Sequence, residues 1–349
     1  MTQDELAELA AALLAGRGFA HKRDIADVLG ALAMSLPGGA AALGQAVAVG
    51  DDCAAIAEPH GDGHLLFAIE GFLDDFVQAL PWFAGYCGVM VNVSDICAMG
   101  GRPIAVVDAL WSDGIGQGGE LLAGLAAASA RYGVPIVGGH SNTRSARGQL
   151  AVAILGRAKK LLTSFNARPG DALMMAIDLR GAFEGSWPFW NASTNAPAER
   201  LRADIELLPL LAEAGRCDCA KDISNAGAIG TALMLLECSK VGALIDVHAI
   251  PRPDDVPLLR WLQAFPSYGY VFSVRPAQVP AVAAHFEAKG IACTRVGEVT
   301  AAPQVWLRDG AAHAQLWDVA TQAFIVARTD IRAPITAPAG AEHAKAGHA

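Results

Sequence analysis

The 349 residues carry 35 acidic against 26 basic side chains, a formal net charge of −9, and 53% are hydrophobic while 17% are charged. That balance, with no Lys/Arg-rich run, argues against nucleic acid as a partner, and no unbroken apolar run reaches the ~18 residues of a membrane span. Such a length and apolar content predict two domains with a large buried core.

In chain order, Asp4–Leu14 and Ile25–Ser35 read as helices, the second from the spacing of Ile25, Val28, Leu29 and Leu32. Strands are expected over Ala46–Ile56 and His64–Phe72, then a helix from Pro81 that stops at Gly100-Gly101 before Pro103. Ile104–Trp111 is a strand, Gly119–Tyr132 a helix and Gln149–Arg157 a strand that closes the first unit. Arg168-Pro169-Gly170-Asp171 marks a turn. Beyond it come strand Ala172–Asp178, helices Ala198–Ala214 and Ile229–Ser239, strand Gly269–Val274, helix Val279–Gly290 and strand Thr294–Val299. Gly185–Ala198, with Trp187 and Trp190, reads as an irregular aromatic loop that covers a site or wedges a core. The fold class is therefore α+β (α/β-like), with domains over 1–160 and 161–330 and a flexible Ala/Pro/Gly-rich tail over 331–349. Seven scattered cysteines, an odd number with no secretory signal, predict reduced thiols in the cytoplasm. Cys217 and Cys219 form a close pair, but with no second pair at zinc spacing they read as small, partly buried residues.

The chemistry concentrates in short acidic motifs. Asp51 and Asp52 are expected to close a strand, where a bend after Gly50 would present both side chains. A bare Asp-Asp pair is by default a solvated turn. Glu70 ends the next strand, where a capping role competes with metal binding. Asn92 and Asp95 share a helix face inside the apolar run Val89–Met99, where an unpaired carboxylate is costly. Gly138 and Gly139 follow Val134–Val137 and allow backbone amides close to an anion, with His140 directly after them. Arg144 and Arg147 offer charge to a phosphate or to solvent. Asp222 and Asn225 head a turn into a helix whose N-terminus favours anions. Carboxylates gathered this way ask for a hard divalent cation holding a polyphosphate.

Four motifs, in this order and spacing, carry a resemblance: Gly50-Asp51-Asp52-Cys53-Ala54-Ala55, Asn92 through Pro103, Gly138-Gly139-His140-Ser141, and Lys221-Asp222-Ile223-Ser224-Asn225-Ala226-Gly227. Across roughly residues 20–310 the chain resembles the ATP-binding superfamily of aminoimidazole ribonucleotide synthetase, thiamine-monophosphate kinase and selenophosphate synthetase. It looks most similar to the branch of AIR-synthase-related proteins found beside nitrilase genes, on Gly138–Ser141 and Pro266-Ser267-Tyr268-Gly269-Tyr270.

The resemblance implies a two-domain PurM-like fold and a homodimer whose N-terminal sheets form a barrel-like core, with ATP in the groove beside it. It makes Asp51, Asp52, Glu70, Asp95 and Asp222 metal ligands. Asn92, Gly138, Gly139, Arg144 and Asn225 would hold ATP or its phosphates, and His140 with Asp95 would be catalytic. Relatives place carboxylates where His140 and Asn225 stand. The expectation is an ATP- and Mg²⁺-dependent kinase or synthetase acting on an oxygen of a small molecule; the alternative is a nucleotide-binding partner or regulatory protein of reduced activity. Thiamine monophosphate is disfavoured as substrate. Selenide chemistry lacks its N-terminal cysteine, and the hydrogenase-maturation reaction lacks its C-terminal one.

Overall fold

A computed structural model describes residues 1–35 and 50–326. The expected tail and the first residues of the expected strand Ala46–Ile56 lie outside the described residues. In chain order the elements are α1 (Gln3–Leu14), α2 (Arg17–Ser35), β1 (Ala54–Ala57), β2 (His64–Phe72), α3 (Asp74–Ala79), α4 (Pro81–Ala98), β3 (Arg102–Asp113), α5 (Gly114–Tyr132), β4 (Ile136–Asn142) and β5 (Arg144–Ala158). There follow β6 (Ala172–Ile177), β7 (Ala182–Phe183), β8 (Phe189–Asn191), α6 (Ala198–Asp204), α7 (Leu207–Glu213), β9 (Cys219–Asp222), α8 (Gly227–Ser239) and β10 (Gly242–Asp246). Last are α9 (Leu258–Leu262), β11 (Phe265–Pro266), β12 (Gly269–Val274), α10 (Val279–Glu287), β13 (Ala292–Thr300), β14 (Gln304–Asp309) and β15 (Ala312–Asp318).

Two sheets carry the fold, which is a mixed α/β architecture of two domains. The first is five-stranded in the order β1-β2-β5-β3-β4, antiparallel except for the parallel β3–β4 pair. The second is seven-stranded in the order β15-β14-β10-β13-β6-β12-β9. Within one chain the first sheet is open, with β1 and β4 at its edges.

Between the sheets runs α4, buried all round from Phe83 to Ala98. A helix apolar on every face belongs inside a core, and α4 packs on β2, β3 and β5 on one side and β9 on the other. Alternation on β6 explains how the second sheet is covered twice. Met174 and Ala176 join the α4 core, while Leu173, Met175 and Ile177 join a second core with α1 and α8. Two glycines let α4 and α5 approach closely. A Cβ on Gly85 would lie 2.0 Å from the Leu121 carbonyl oxygen, and one on Gly124 1.9 Å from that of Trp82. Gly85→Ala is therefore expected to cost at least the ~1–3 kcal/mol of an overpacked core, read as a lower urea midpoint at unchanged m-value.

Polar contacts tie the halves together. The Arg102 guanidinium of β3 donates to Glu206 at 2.8 and 3.1 Å and to Glu213 at 2.6 Å. Ser193 Oγ lies 2.7 Å from Tyr86 Oη and 2.8 Å from Tyr132 Oη, and Ser94 Oγ donates to Tyr270 Oη at 3.2 Å.

Several expectations are corrected. The helix expected over Ala198–Ala214 is two helices, because Pro209 cannot donate within a continuous helix but fits the first turn of α7. The second helix starts at Arg17, eight residues earlier than its apolar spacing suggests, since Phe19 anchors its polar first half in the α8 core. Asp51 and Asp52 do not close a strand; they precede β1 in a bend where Gly50 has φ +117°. The aromatic loop contains β8, paired with β7 and β11.

Candidate active site

The ends of three elements deliver carboxylates to one place. The bend before β1 supplies Asp52, the last turn of α4 supplies Asp95, and the end of β9 supplies Asp222. One oxygen from each lies within 4.8 Å of the others. On β9, Ala220 and Asp222 share the face toward α4, whereas Cys219 and Lys221 point toward the α8 side. Gly227 lets the chain turn from β9 into α8: it has φ +68°, and a Cβ there would lie 1.9 Å from the Leu262 carbonyl oxygen.

These groups line a cavity of about 310 Å³, together with Asp51, Glu70, Lys22, Lys221, Ser224 and Asn225. Five carboxyls thus face two ammonium groups. Asp95 is 6% exposed, and its Oδ2 has no hydrogen-bond partner among the described residues. Burial first, and then the neighbouring Asp222, Glu70 and Asp52, push its carboxyl well above the ordinary range. Asp222 rises to about 8 by burial and by Asp52, against the pull of Lys221 and Lys22. Glu70, which opens to the cavity at the end of β2, is raised mainly by desolvation. Crowding several carboxylates in one cavity, two of them buried, is unfavourable until a cation enters. Oxygens on opposite sides of Mg²⁺ stand roughly 4 Å apart, so the trio fits one hard cation after a small inward movement.

Asp51 has a different place. Its carboxylate accepts from the Ser164 amide at 2.8 Å and the Ser164 hydroxyl at 2.7 Å. Burial raises it to about 6. Asp51 therefore pins the bend to the chain leading out of β5, while Asp52 turns inward. Lys221 forms a buried ion pair with Asp52. Burial alone would lower its ammonium, but Asp52 and Asp51 outweigh that and hold it above the ordinary lysine range.

The remaining expected residues are spread out. Asn225 lines the cavity. Asn92 instead donates to the carbonyls of Gly88 at 2.8 Å and Val152 at 3.0 Å, joining α4 to β5, and is absent from the cavity wall. Gly138, Gly139 and His140 lie exposed on the edge strand β4, and Arg144 begins β5, also exposed. His140 sits 6.0 Å from the Trp111 ring, outside the carboxylate cavity of its own chain. Cys217 is buried and donates to the Cys219 carbonyl at 3.3 Å, and burial raises its thiol to about 12, the setting of an inert core thiol.

Sequence reading passed over Lys22, Ser164 and Lys221. Lys221 left a signal, since it opens the fourth motif directly before Asp222. Lys22 left none, because it sits on the polar half of α2.

Comparison with known proteins adds the family. The profile described as AIR synthase related protein, N-terminal domain, matches residues 50–158, and that of the C-terminal domain matches 168–309. An uncharacterized protein of Synechocystis sp. is 50% identical over 277 residues, 79% of this chain and 85% of that one. A thiamine-monophosphate kinase of Rhodopirellula baltica is 26% identical over 266 residues, 71% of this chain and 78% of that one. Among solved structures, T. maritima PurL complexed with ADP aligns with TM-score 0.68 at 19% identity, over 79% of this chain and 46% of that one. This chain thus spans about half of PurL. AaThiL complexed with AMPPCP and TMP aligns with TM-score 0.58 at 18% identity, over 77% of this chain and 92% of that one.

Proposed function

We propose that this chain, which belongs to the family of AIR synthase related proteins, is an ATP-dependent phosphotransferase or ligase that uses Mg²⁺ to activate an oxygen of a small molecule. The observation that carries this reading is the Asp52–Asp95–Asp222 trio with its unpartnered buried Asp95 oxygen. The relatives support the nucleotide: a thiamine-monophosphate kinase and a selenide, water dikinase are among them.

In this reading Asp52, Asp95 and Asp222 would hold Mg²⁺, which when bound would supply positive charge to the triphosphate and to the transferring phosphoryl group. Lys221 fixes the Asp52 carboxylate, and Lys22 supplies positive charge at the cavity wall. Ser224 and Asn225, in the turn that leads into α8, stand on the cavity wall where phosphate would lie. The acceptor oxygen forms its bond to the γ-phosphorus as the β–γ bridging bond breaks. ADP leaves with that electron pair, and the acceptor's proton passes to water. Asn225, an amide rather than a carboxylate, suits a site for one cation better than two.

The proposal keeps two domains, over residues 1–160 and 161–330, with α1 and α2 of the first packed on the core of the second, and a homodimer. One face of the five-stranded sheet packs on α4, while its other face leaves Ile56, Phe67, Ile69, Val107 and Leu155 exposed. Ile69 also lines the carboxylate cavity, so a second copy laid on this face would border the site. It is also through that copy that β4, with Gly138, Gly139, His140 and Arg144, enters this reading. Phe67→Glu is expected to convert the dimer to monomer in sedimentation-equilibrium runs. A wild type that sediments as monomer at micromolar concentration refutes the pairing.

ATP hydrolysis or transfer with Mg²⁺, measured over a panel of small acids, alcohols and amides, tests the enzyme. Binding of an ATP analogue with no turnover on any of them would favour the regulatory reading instead.

A further inference from the structure

A second cavity, of about 180 Å³, adjoins the first and has a different chemistry. Its walls include Phe76, Phe83, Trp187, Phe189, Phe265 and Met90. The Trp187 and Phe189 rings are stacked at 5.8 Å, and Phe76 lies 5.6 and 4.8 Å from them. The two cavities share Glu70, Val91, Asn225 and Phe265 as lining residues. Along α4, Val91 lines both and Asp95 stands one turn further on, a rise of about 6 Å. A ligand among the rings is thus within a phosphoryl group's reach of the cation trio.

Resting on the reading above, we propose that this aromatic cavity binds the acceptor, and that the acceptor is a single flat aromatic or heteroaromatic ring bearing a hydroxyl or carboxylate on a short arm. Size sets the limit. An apolar cavity of 150 Å³ takes up benzene in a well-known engineered case, so about 180 Å³ has room for one ring with a short substituent. Ring faces explain the aromatic preference, since offset and edge contacts with several aromatic side chains favour a π-system over an aliphatic ring of equal size. Polarity sets the direction. Arg17, His21 and Asp75 also line the cavity, but Glu70 and Asn225 are the polar residues it shares with the carboxylate cavity, so the oxygen arm points there.

Ligand-detected NMR with benzyl alcohol, 3-pyridinemethanol and cyclohexylmethanol tests the assignment, alongside thermal stabilisation by AMPPCP with Mg²⁺. The wild type is expected to bind both aromatic alcohols, and cyclohexylmethanol at least fivefold more weakly. Trp187→Ala should weaken the aromatic probes tenfold or more without changing the AMPPCP effect, and Trp187→Phe should restore most of the loss. Wild-type protein that responds to AMPPCP but binds neither aromatic alcohol overturns this inference and leaves the proposed function standing. If Trp187→Ala instead abolishes the AMPPCP response while Trp187→Phe keeps it, the cavity holds the nucleotide base and the acceptor assignment fails. Absence of any AMPPCP response overturns the proposed function, and the acceptor role with it.

Discussion

Asp95→Asn is expected to erase the stabilisation that AMPPCP and Mg²⁺ give the wild-type protein while leaving the unliganded protein at least as stable. The two halves of that result have separate causes. Without a cation, Asp95 is a desolvated carboxyl that burial and then Asp222, Glu70 and Asp52 push toward its neutral form, so a neutral amide of the same shape replaces it without loss, and with a gain at any pH where the carboxyl would ionise. With the cation, the same change takes one of three oxygens from the trio and a formal charge from its ligand field. A ligand at a hundredfold excess over its dissociation constant adds about 2.7 kcal/mol to apparent stability. Differential scanning calorimetry of both proteins, with and without AMPPCP and Mg²⁺, should show that increment in the wild type and almost none in the variant. Equal increments in both would remove the trio from the site.

Acidity gives the second large effect. In the unfolded chain Asp222 titrates near its model-peptide value of about 3.9, whereas in the fold it is raised to about 8 and Asp95 is raised as well. The fold therefore holds more protons than the unfolded chain between about pH 4 and pH 8. This contribution to stability is fully present at the acid end and is lost as the pH climbs through the folded values. Cation binding must expel the same protons, so its affinity runs the other way. Each displaced proton is worth up to tenfold in apparent Mg²⁺ affinity per pH unit, about 1.4 kcal/mol. Melting curves at fixed Mg²⁺ should show a gain that grows from pH 6 to pH 8, against a falling baseline without metal. A gain independent of pH would mean that the cation binds elsewhere.

Much of the frame was legible because its signals are local. His64–Phe72 and Gly269–Val274 alternate or run apolar between clear breaks, and both strands have the expected ends. Pro81 at the start and Gly100-Gly101 after the end bounded α4. Short elements without an apolar run, such as α3 and β7, were missed because so brief and mixed a segment shows no period. The β14–β15 hairpin was missed because its pairing, not its pattern, defines it. The site followed the same division. Asp52, Asp95 and Asp222 could be named from ordered motifs, but no local pattern says that Asp51 turns to Ser164 or that Asn92 serves β5. Those outcomes depend on which partner waits across the fold. His140 shows the same limit, since its motif drew attention while its strand lies at an open sheet edge.

Asp52 and Asp95 come from the first sheet's half of the chain and Asp222 from the second, so in the proposed reading neither half would hold a complete coordination sphere. Cation affinity then becomes a gauge of how tightly the halves are clasped. Arg102, at the start of β3 and gripping Glu206 and Glu213, is one rivet of that clasp. Loosening it would weaken metal capture from a distance, with every coordinating oxygen still intact.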